Sequence, residues 1–121
     1  MIKTILLENQ AVYQTGVLTV ALNRQIPIKV PPEEAQRLVN EFVHLDISTQ
    51  IHAEPPTLVI GQTSVWRVPL HLTFPSFGDV GGVGHLDVDP LTGALQILPQ
   101  YIEDIMQNAE NLALRFTSPT A

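Results

Sequence analysis

A turn at residues 89–93 constrains the fold of this chain more than any other local feature. The residues are Asp89-Pro90-Leu91-Thr92-Gly93. An Asp at the start of a turn accepts hydrogen bonds from backbone N–H groups, a following Pro presets φ, and a Gly at the exit supplies a positive φ. Apolar and polar residues alternate before this turn, and a mostly apolar segment follows it. The combination predicts a type I turn with a bulge, closing a β-hairpin over residues 83–97.

Two segments have the periodicity of amphipathic helices. The first, at about 32–44, begins with proline and two glutamates, which suit the positive end of a helix dipole. Its apolar residues recur at i, i+3, i+4, i+7 and i+8, namely Ala35, Leu38, Val39, Phe42 and Val43. The second, at about 99–116, begins at Pro99 and carries a similar stripe. Each stripe predicts a helix with one buried face.

Strands are predicted where β-branched and aromatic residues dominate or alternate with polar ones. In residues 66–74 one face is apolar, comprising Trp66, Val68, Leu70, Leu72 and Phe74. Pro69 indicates either an edge strand or an N–H position that points away from its neighbour. Further strands are expected at 2–7, 11–22 and 57–60, and a helix over part of 2–14 is the alternative for the N-terminal segment. We also expect an extended edge segment at 26–30, a connection with a solvated His52 at 46–56, and a glycine-rich loop at 75–82.

These elements predict an α+β fold. We expect an antiparallel β-sheet with two amphipathic helices, at about 32–44 and 99–116, packed on one face. The chain of 121 residues has the length of one domain, and no repeat or linker divides it. We therefore expect a single domain over residues 1–121.

Composition narrows the classes of function. Six Lys and Arg residues are scattered singly and the net charge is −6, which disfavours nucleic acids and anionic membranes as partners. The absence of cysteine excludes disulfides and thiolate chemistry. Only 15% of residues are charged and 45% are hydrophobic, so a protein partner or a second copy is expected to cover apolar surface. The apolar run near the N-terminus is too short for a signal peptide or a membrane span, and a cytoplasmic location is expected.

One polar constellation could bind a metal. His85, Asp87 and Asp89 share a face of one strand, and antiparallel pairing with residues 65–74 would place His71 on the same face. Two imidazoles and two carboxylates could hold a divalent ion or serve acid–base chemistry. The alternative is a solvated face with balanced charges, for example Arg67 against Asp87 or Asp89. This alternative is favoured: no catalytic, cofactor or metal site is predicted, and these two histidines and two aspartates stand only as metal candidates.

Two other patterns fail as ligand motifs. The D-V-D-P-L-T-G segment lacks the ligands and the glycine of a calcium loop at Leu91, Thr92 and Leu98. The glycines of residues 78–84 lead into a strand instead of opening a helix, and Asp79 among them would repel a phosphate. Calcium and nucleotide binding are therefore not expected.

Residues 65–97 resemble the PepSY-type module. The similarity is carried by V-W-R-V-P-L-H-L, starting at Val65, and by V-D-P-L-T-G-A-L, starting at Val88. In that family a strand, a V-D-x-x-T-G turn and an apolar return strand pack on a preceding helix, which here would be residues 33–44. PepSY modules are usually exported or membrane-linked and are thought to restrain peptidases. The resemblance carries no binding residues over to this chain.

The expected function is that of a non-catalytic protein-interaction or regulatory module. Its partner would be another protein or a second copy of the chain, so that a homodimer is plausible. The alternative is a small ligand-binding or metal-binding domain, or an enzyme, with a pocket between the sheet and the helices.

Overall fold

The computed structural model describes residues 5–7, 16–17 and 23–117. These residues form, in chain order, β1 (Ile5–Leu7), α1 (Pro32–Asp46), β2 (Ile51–Ala53), β3 (Thr57–Ile60), β4 (Val65–Phe74), β5 (Gly78–Val88), β6 (Leu95–Gln96) and α2 (Pro99–Thr117). The strand order is β1-β3-β4-β5-β6, and β2 pairs with β4 beside β3. The predicted α+β class is confirmed. The sheet is mixed, because β1 runs parallel to β3 while the other pairs are antiparallel.

Strands β2 and β3 act as one interrupted neighbour of β4. β3 pairs with residues 65–67 of β4 and β2 pairs with residues 70–72. Pro69 lies opposite the interruption, where its carbonyl accepts a hydrogen bond of 2.8 Å from the Glu54 N–H. Proline has no N–H to donate, but no residue of β2 or β3 pairs with Pro69, so no hydrogen bond of the ladder is lost here. β4 is therefore a central strand, and the second of the two expectations for Pro69 applies.

The buried face of β4 is the one that the alternation predicted. Its side chains are buried, namely Trp66, Val68, Leu70 and Leu72. α1 lies over β2, β4 and β5 and buries Ala35, Val39 and Val43 completely. These three residues belong to the stripe found in the sequence, so the first helix packs as its periodicity requires.

The turn at residues 89–93 has the predicted chemistry. Asp89 Oδ1 accepts hydrogen bonds from the backbone N–H groups of Leu91 and Thr92, at 2.7 and 3.1 Å. Gly93 has a φ of +79°, which favours glycine. The ladder beyond the turn is shorter than expected, since β5 and β6 pair only at Asp87–Gln96 and Val88–Leu95.

The glycine-rich segment is part of a strand, so the loop predicted at 75–82 is a turn at 75–77 and is wrong from Gly78 onward. The turn after β4 is short, with the Phe77 N–H donating to the Phe74 carbonyl at 3.1 Å, and β5 begins at Gly78. The β4–β5 register shifts between Leu70 and His71 and again between Leu72 and Thr73. Glycine is common at such bulges because it adopts a positive φ without strain. The pattern of small residues marks irregular pairing within a long strand.

α2 lies along β5 and does not join α1 in a layer on one face. The ladder to β6 is only two residues long, and α2 packs against β5, with Leu112 beside Gly81 and Ile105 beside Gly84. The Asn108 side chain donates to the Val83 carbonyl at 2.9 Å, and Ile105 is buried. Within the described part of the chain, neither helix is long and apolar enough to cross a membrane.

The N-terminal expectations are met in part. β1 coincides with the end of the strand predicted at 2–7. The strand predicted at 11–22 lies outside the described residues, apart from residues 16–17. The segment 26–30 is not a strand; it is held to the turn because the N–H groups of Lys29 and Val30 both donate to the Pro90 carbonyl at 2.9 Å.

Candidate metal centre

The outer face of the sheet is the face of β4 opposite its buried side chains. The paired residues on this face are Arg67 with Asp87, Pro69 with His85, His71 with Gly82, and Thr73 with Asp79. Cross-strand partners in an antiparallel pair lie on the same side of the sheet. The register therefore decides which polar side chains on this face can meet.

The four sequence candidates are not brought together. Asp87 is held by Arg67 in a bidentate pair, with Nε–Oδ1 and Nη2–Oδ2 distances of 3.1 Å each. Asp89 belongs to the turn, and His85 is exposed opposite Pro69. His85 pairs with Pro69, two residues from His71, and the partner of His71 is Gly82. Arg67 and Asp87 therefore form a balanced charge pair, which was the alternative to a metal site. Of the four metal candidates, only His71 belongs to a larger cluster.

That cluster consists of His52, Glu54, His71 and Asp79, here termed the histidine–carboxylate cluster. His71 Nδ1 lies 2.7 Å from Asp79 Oδ2 and 3.7 Å from Glu54 Oε1. His52 Nε2 lies 3.1 Å from the same Glu54 oxygen. One ligand atom from each of His52, Glu54 and Asp79 lies within 4.8 Å of the other two. His71 contacts two members of this group, so the two imidazoles and two carboxylates form one network of contacts on the outer face.

Three strands build the cluster. His52 of β2 is the direct cross-strand partner of His71 of β4, and the ring centroids are 6.3 Å apart. Glu54 follows His52 by two residues and so returns to the same face. Asp79 of β5 pairs with Thr73, one position along the face from His71. The β4–β5 bulges bring Asp79 to this register.

Two further contacts orient the ligand groups. The Thr73 hydroxyl lies 2.9 Å from Nδ1 of His52, the ring nitrogen that faces away from Glu54. The Gly81 N–H donates to Asp79 Oδ1 at 3.0 Å. Outer contacts of this kind fix the ring orientation and the carboxylate geometry in metal sites.

The cluster is partly exposed and contains an ionised carboxylate. Its four side chains are between 32% and 48% exposed, so solvent ions can reach them. The hydrogen bond from His71 is the main cause that holds the pKa of Asp79 below its ordinary value of 3.8, against a smaller opposing effect of burial. The Gly81 N–H and the charges of the two imidazoles lower this pKa further.

The donor set and its spacing suit a transition metal. Tetrahedral zinc with ligands at about 2.1 Å places neighbouring ligand atoms roughly 3.4 Å apart. The contacts between ligand atoms in the cluster, at 2.7, 3.1 and 3.7 Å, lie on either side of that separation. Two carboxylates would also balance the charge of a divalent ion. Small side-chain rotations would therefore bring the four groups to a metal.

Sequence reasoning missed three of the four residues. His52 was expected to be solvated, Glu54 was not considered, and Asp79 was weighed only against phosphate. The His-x-Glu spacing of residues 52–54 is the one local signal, because it places both side chains on the same face of an extended segment. It is a weak signal without the pairing to β4.

A cavity of about 360 Å³ lies between β5 and α2. The Arg67–Asp87 pair forms part of its wall. Tyr101, Asp104 and Asn108 line it from α2. The four residues of the histidine–carboxylate cluster do not line this cavity.

Known proteins give no family assignment. Comparison of the chain with protein-family models, with curated proteins and with solved structures found no match. The resemblance of residues 65–97 to the PepSY-type module stays a prediction from sequence.

Proposed function

We propose that this protein binds a divalent first-row transition-metal ion, with zinc(II) the best suited, through His52, Glu54, His71 and Asp79. The observation that carries the proposal is the approach of both imidazoles to one oxygen of Glu54, at 3.1 and 3.7 Å, with Asp79 beside them. A metal at this point would replace the protons that the imidazoles share with the carboxylates.

The donor atoms favour transition metals over magnesium and calcium. Mg²⁺ and Ca²⁺ take oxygen ligands, whereas imidazole suits zinc, copper, iron and nickel. Half of the proposed ligands are imidazole nitrogens. The net charge of −6 adds a general attraction for cations.

Calorimetric titration of the chelator-treated protein with Zn²⁺ tests the proposal. We expect one site per chain with a Kd below about 0.1 mM, and much weaker binding of Mg²⁺. His71→Ala and His52→Ala should each weaken zinc binding at least tenfold, because each removes a ligand. His85→Ala is the matched control, since it removes an exposed histidine from the same face, and it should leave the Kd unchanged. Absence of binding in this range, or equal loss in the control, contradicts the proposal.

A second candidate function is protein interaction, as expected from the composition. The rings of Phe77 and Phe116 are 5.8 Å apart at the junction of the β4–β5 turn with the end of α2. Phe77 is 56% exposed and Phe116 is 44% exposed. Neighbouring exposed apolar groups are typical of contact sites. We propose this patch as the surface that meets a partner or a second copy.

Sedimentation velocity tests the simplest case, a homodimer. The wild type should sediment as a dimer, and the double change Phe77→Ser with Phe116→Ser should shift it to monomer. Leu91→Ser is the control, since Leu91 is exposed at the other hairpin turn. A wild type that stays monomeric at high concentration contradicts self-association.

A further inference from the structure

Thr73 lies beside the ring nitrogen of His52 that faces away from Glu54. Its backbone N–H donates to the Gln50 carbonyl at 2.8 Å, which anchors the residue beside β2. Its Oγ1 lies 2.9 Å from His52 Nδ1, while Nε2 of the same ring faces Glu54 Oε1 at 3.1 Å. His52 is therefore held between a carboxylate on one side and a hydroxyl on the other.

These two neighbours differ in hydrogen-bonding chemistry. An ionised carboxylate only accepts hydrogen bonds, whereas a hydroxyl can donate or accept by rotating. A neutral imidazole carries one N–H and one lone pair, and its partners select which nitrogen bears the proton. Without a metal, Glu54 favours the proton on Nε2, and Nδ1 then accepts from the Thr73 hydroxyl.

A metal bound at Nε2 requires the opposite tautomer. The proton must then be on Nδ1, and Nδ1–H needs an acceptor to hold the ring in place. The Thr73 oxygen can serve as that acceptor after its O–H rotates away. One proton leaves Nε2 and one is taken up at Nδ1 from solvent, so the neutral ring stays neutral.

We propose that Thr73 is a positioning residue that lets His52 change tautomer and bind the metal through Nε2. The inference rests on the proposed metal-binding function and extends it to a residue that does not touch the metal. It explains why a hydroxyl, which can reverse its role, suits this position better than a group that only accepts.

Paired substitutions at residue 73 separate hydroxyl chemistry from packing. Thr73→Val keeps the shape and removes the hydroxyl, and it should weaken zinc binding by roughly 10–100-fold, as loss of an outer partner does in other metal sites. Thr73→Ser keeps the hydroxyl and removes the methyl group, and it should restore affinity to within about threefold of wild type. Equal weakening in both variants, or no change in Thr73→Val, overturns the role of Thr73.

A spectroscopic measurement on the wild type gives a second readout that does not depend on the folding of a variant. Long-range ¹H–¹⁵N correlation of the zinc-loaded protein should show His52 protonated at Nδ1 and coordinated through Nε2. Coordination through Nδ1 would overturn the inference while leaving metal binding in place. A wild type that binds no zinc would overturn both the proposed function and the role of Thr73.

Discussion

Single hydrogen bonds connect parts of this molecule that are distant in sequence. The indole N–H of Trp66, on the buried face of β4, donates to the carbonyl of Val30 at 2.8 Å. Val30 precedes α1, and its own N–H is bonded to the Pro90 carbonyl. One buried aromatic residue thus holds the segment before α1 to the sheet and to the turn at 89–93.

Replacing Trp66 with Phe should show the value of this bond. The ring remains, but the Val30 carbonyl loses its partner and a small cavity opens, so we expect a loss of about 1–3 kcal/mol in unfolding free energy. Urea denaturation measures it. Tyr101→Phe, which alters an exposed ring, should change stability by less than about 0.5 kcal/mol. Equal effects of the two changes would contradict the assigned role of Trp66.

The Asp79 carboxylate should make stability depend on pH. Its pKa in the folded protein is below 3.8, chiefly because of the hydrogen bond from His71. Because folding lowers this pKa, the ionised carboxylate stabilises the folded state. The contribution is complete above the unfolded-state pKa, and it is lost as the pH falls through the folded-state pKa. Asp79→Asn should therefore be less stable than wild type near neutral pH. In metal-free urea titrations the difference should shrink below pH 3.8, and a constant difference would contradict the assignment.

The packing of α2 on β5 depends on a glycine residue in β5. Gly84 has a φ of +144°, and a Cβ there would lie 3.1 Å from Cγ1 of Ile105. Both the backbone conformation and the space for Ile105 therefore require glycine. Gly82, two residues earlier, has no such φ, and a Cβ there would make ordinary contacts with His71 at 3.7 Å.

These two glycines make a matched pair for mutation. Gly84→Ala should destabilise the protein by about 1–3 kcal/mol through backbone strain, and it should speed amide hydrogen exchange in α2 as the helix is displaced. Gly82→Ala should cost less than about 1 kcal/mol and leave exchange in α2 unchanged. If Gly82→Ala is the more disruptive change, the account of the α2 contact is wrong.

The elements differ in how far the sequence could predict them. Helix periodicity is local, so the predicted 32–44 and 99–116 closely match Pro32–Asp46 and Pro99–Thr117. The three residues of β2 are too few to show a period, and the strand exists because β4 offers it an edge. The glycines of β5 have the composition of a loop, and only pairing with β4 makes them a strand.

At the scale of the whole molecule, the histidine–carboxylate cluster depends on pairing between separate strands. His52 and His71 are 19 positions apart, and they meet because β2 pairs with β4 in one register. Asp79 reaches them through the bulges of β5. Alternation along β4 placed His71 on the correct face, but it could not give the register of β5 or reveal that β2 pairs with β4, so the predicted neighbours of His71 were wrong.

A metal that joins β2, β4 and β5 should stabilise the fold as a whole. Zinc at about 100 times its Kd should add roughly 2.7 kcal/mol to the unfolding free energy, provided that it binds only the folded chain. Thermal denaturation with and without zinc measures the effect. At the same zinc concentration, His71→Ala should reduce the increase to about 1.4 kcal/mol or less and His85→Ala should keep it, whereas an undiminished increase in His71→Ala would place the metal elsewhere.

X-ray absorption at the zinc edge of the loaded protein tests the central claim most directly. Coordination by the histidine–carboxylate cluster predicts two imidazole nitrogens and two carboxylate oxygens at about 2.0–2.2 Å. The imidazole signal should fall by half in His52→Ala and stay intact in His85→Ala. A spectrum without imidazole scattering, or one that His52→Ala leaves unchanged, would contradict the account.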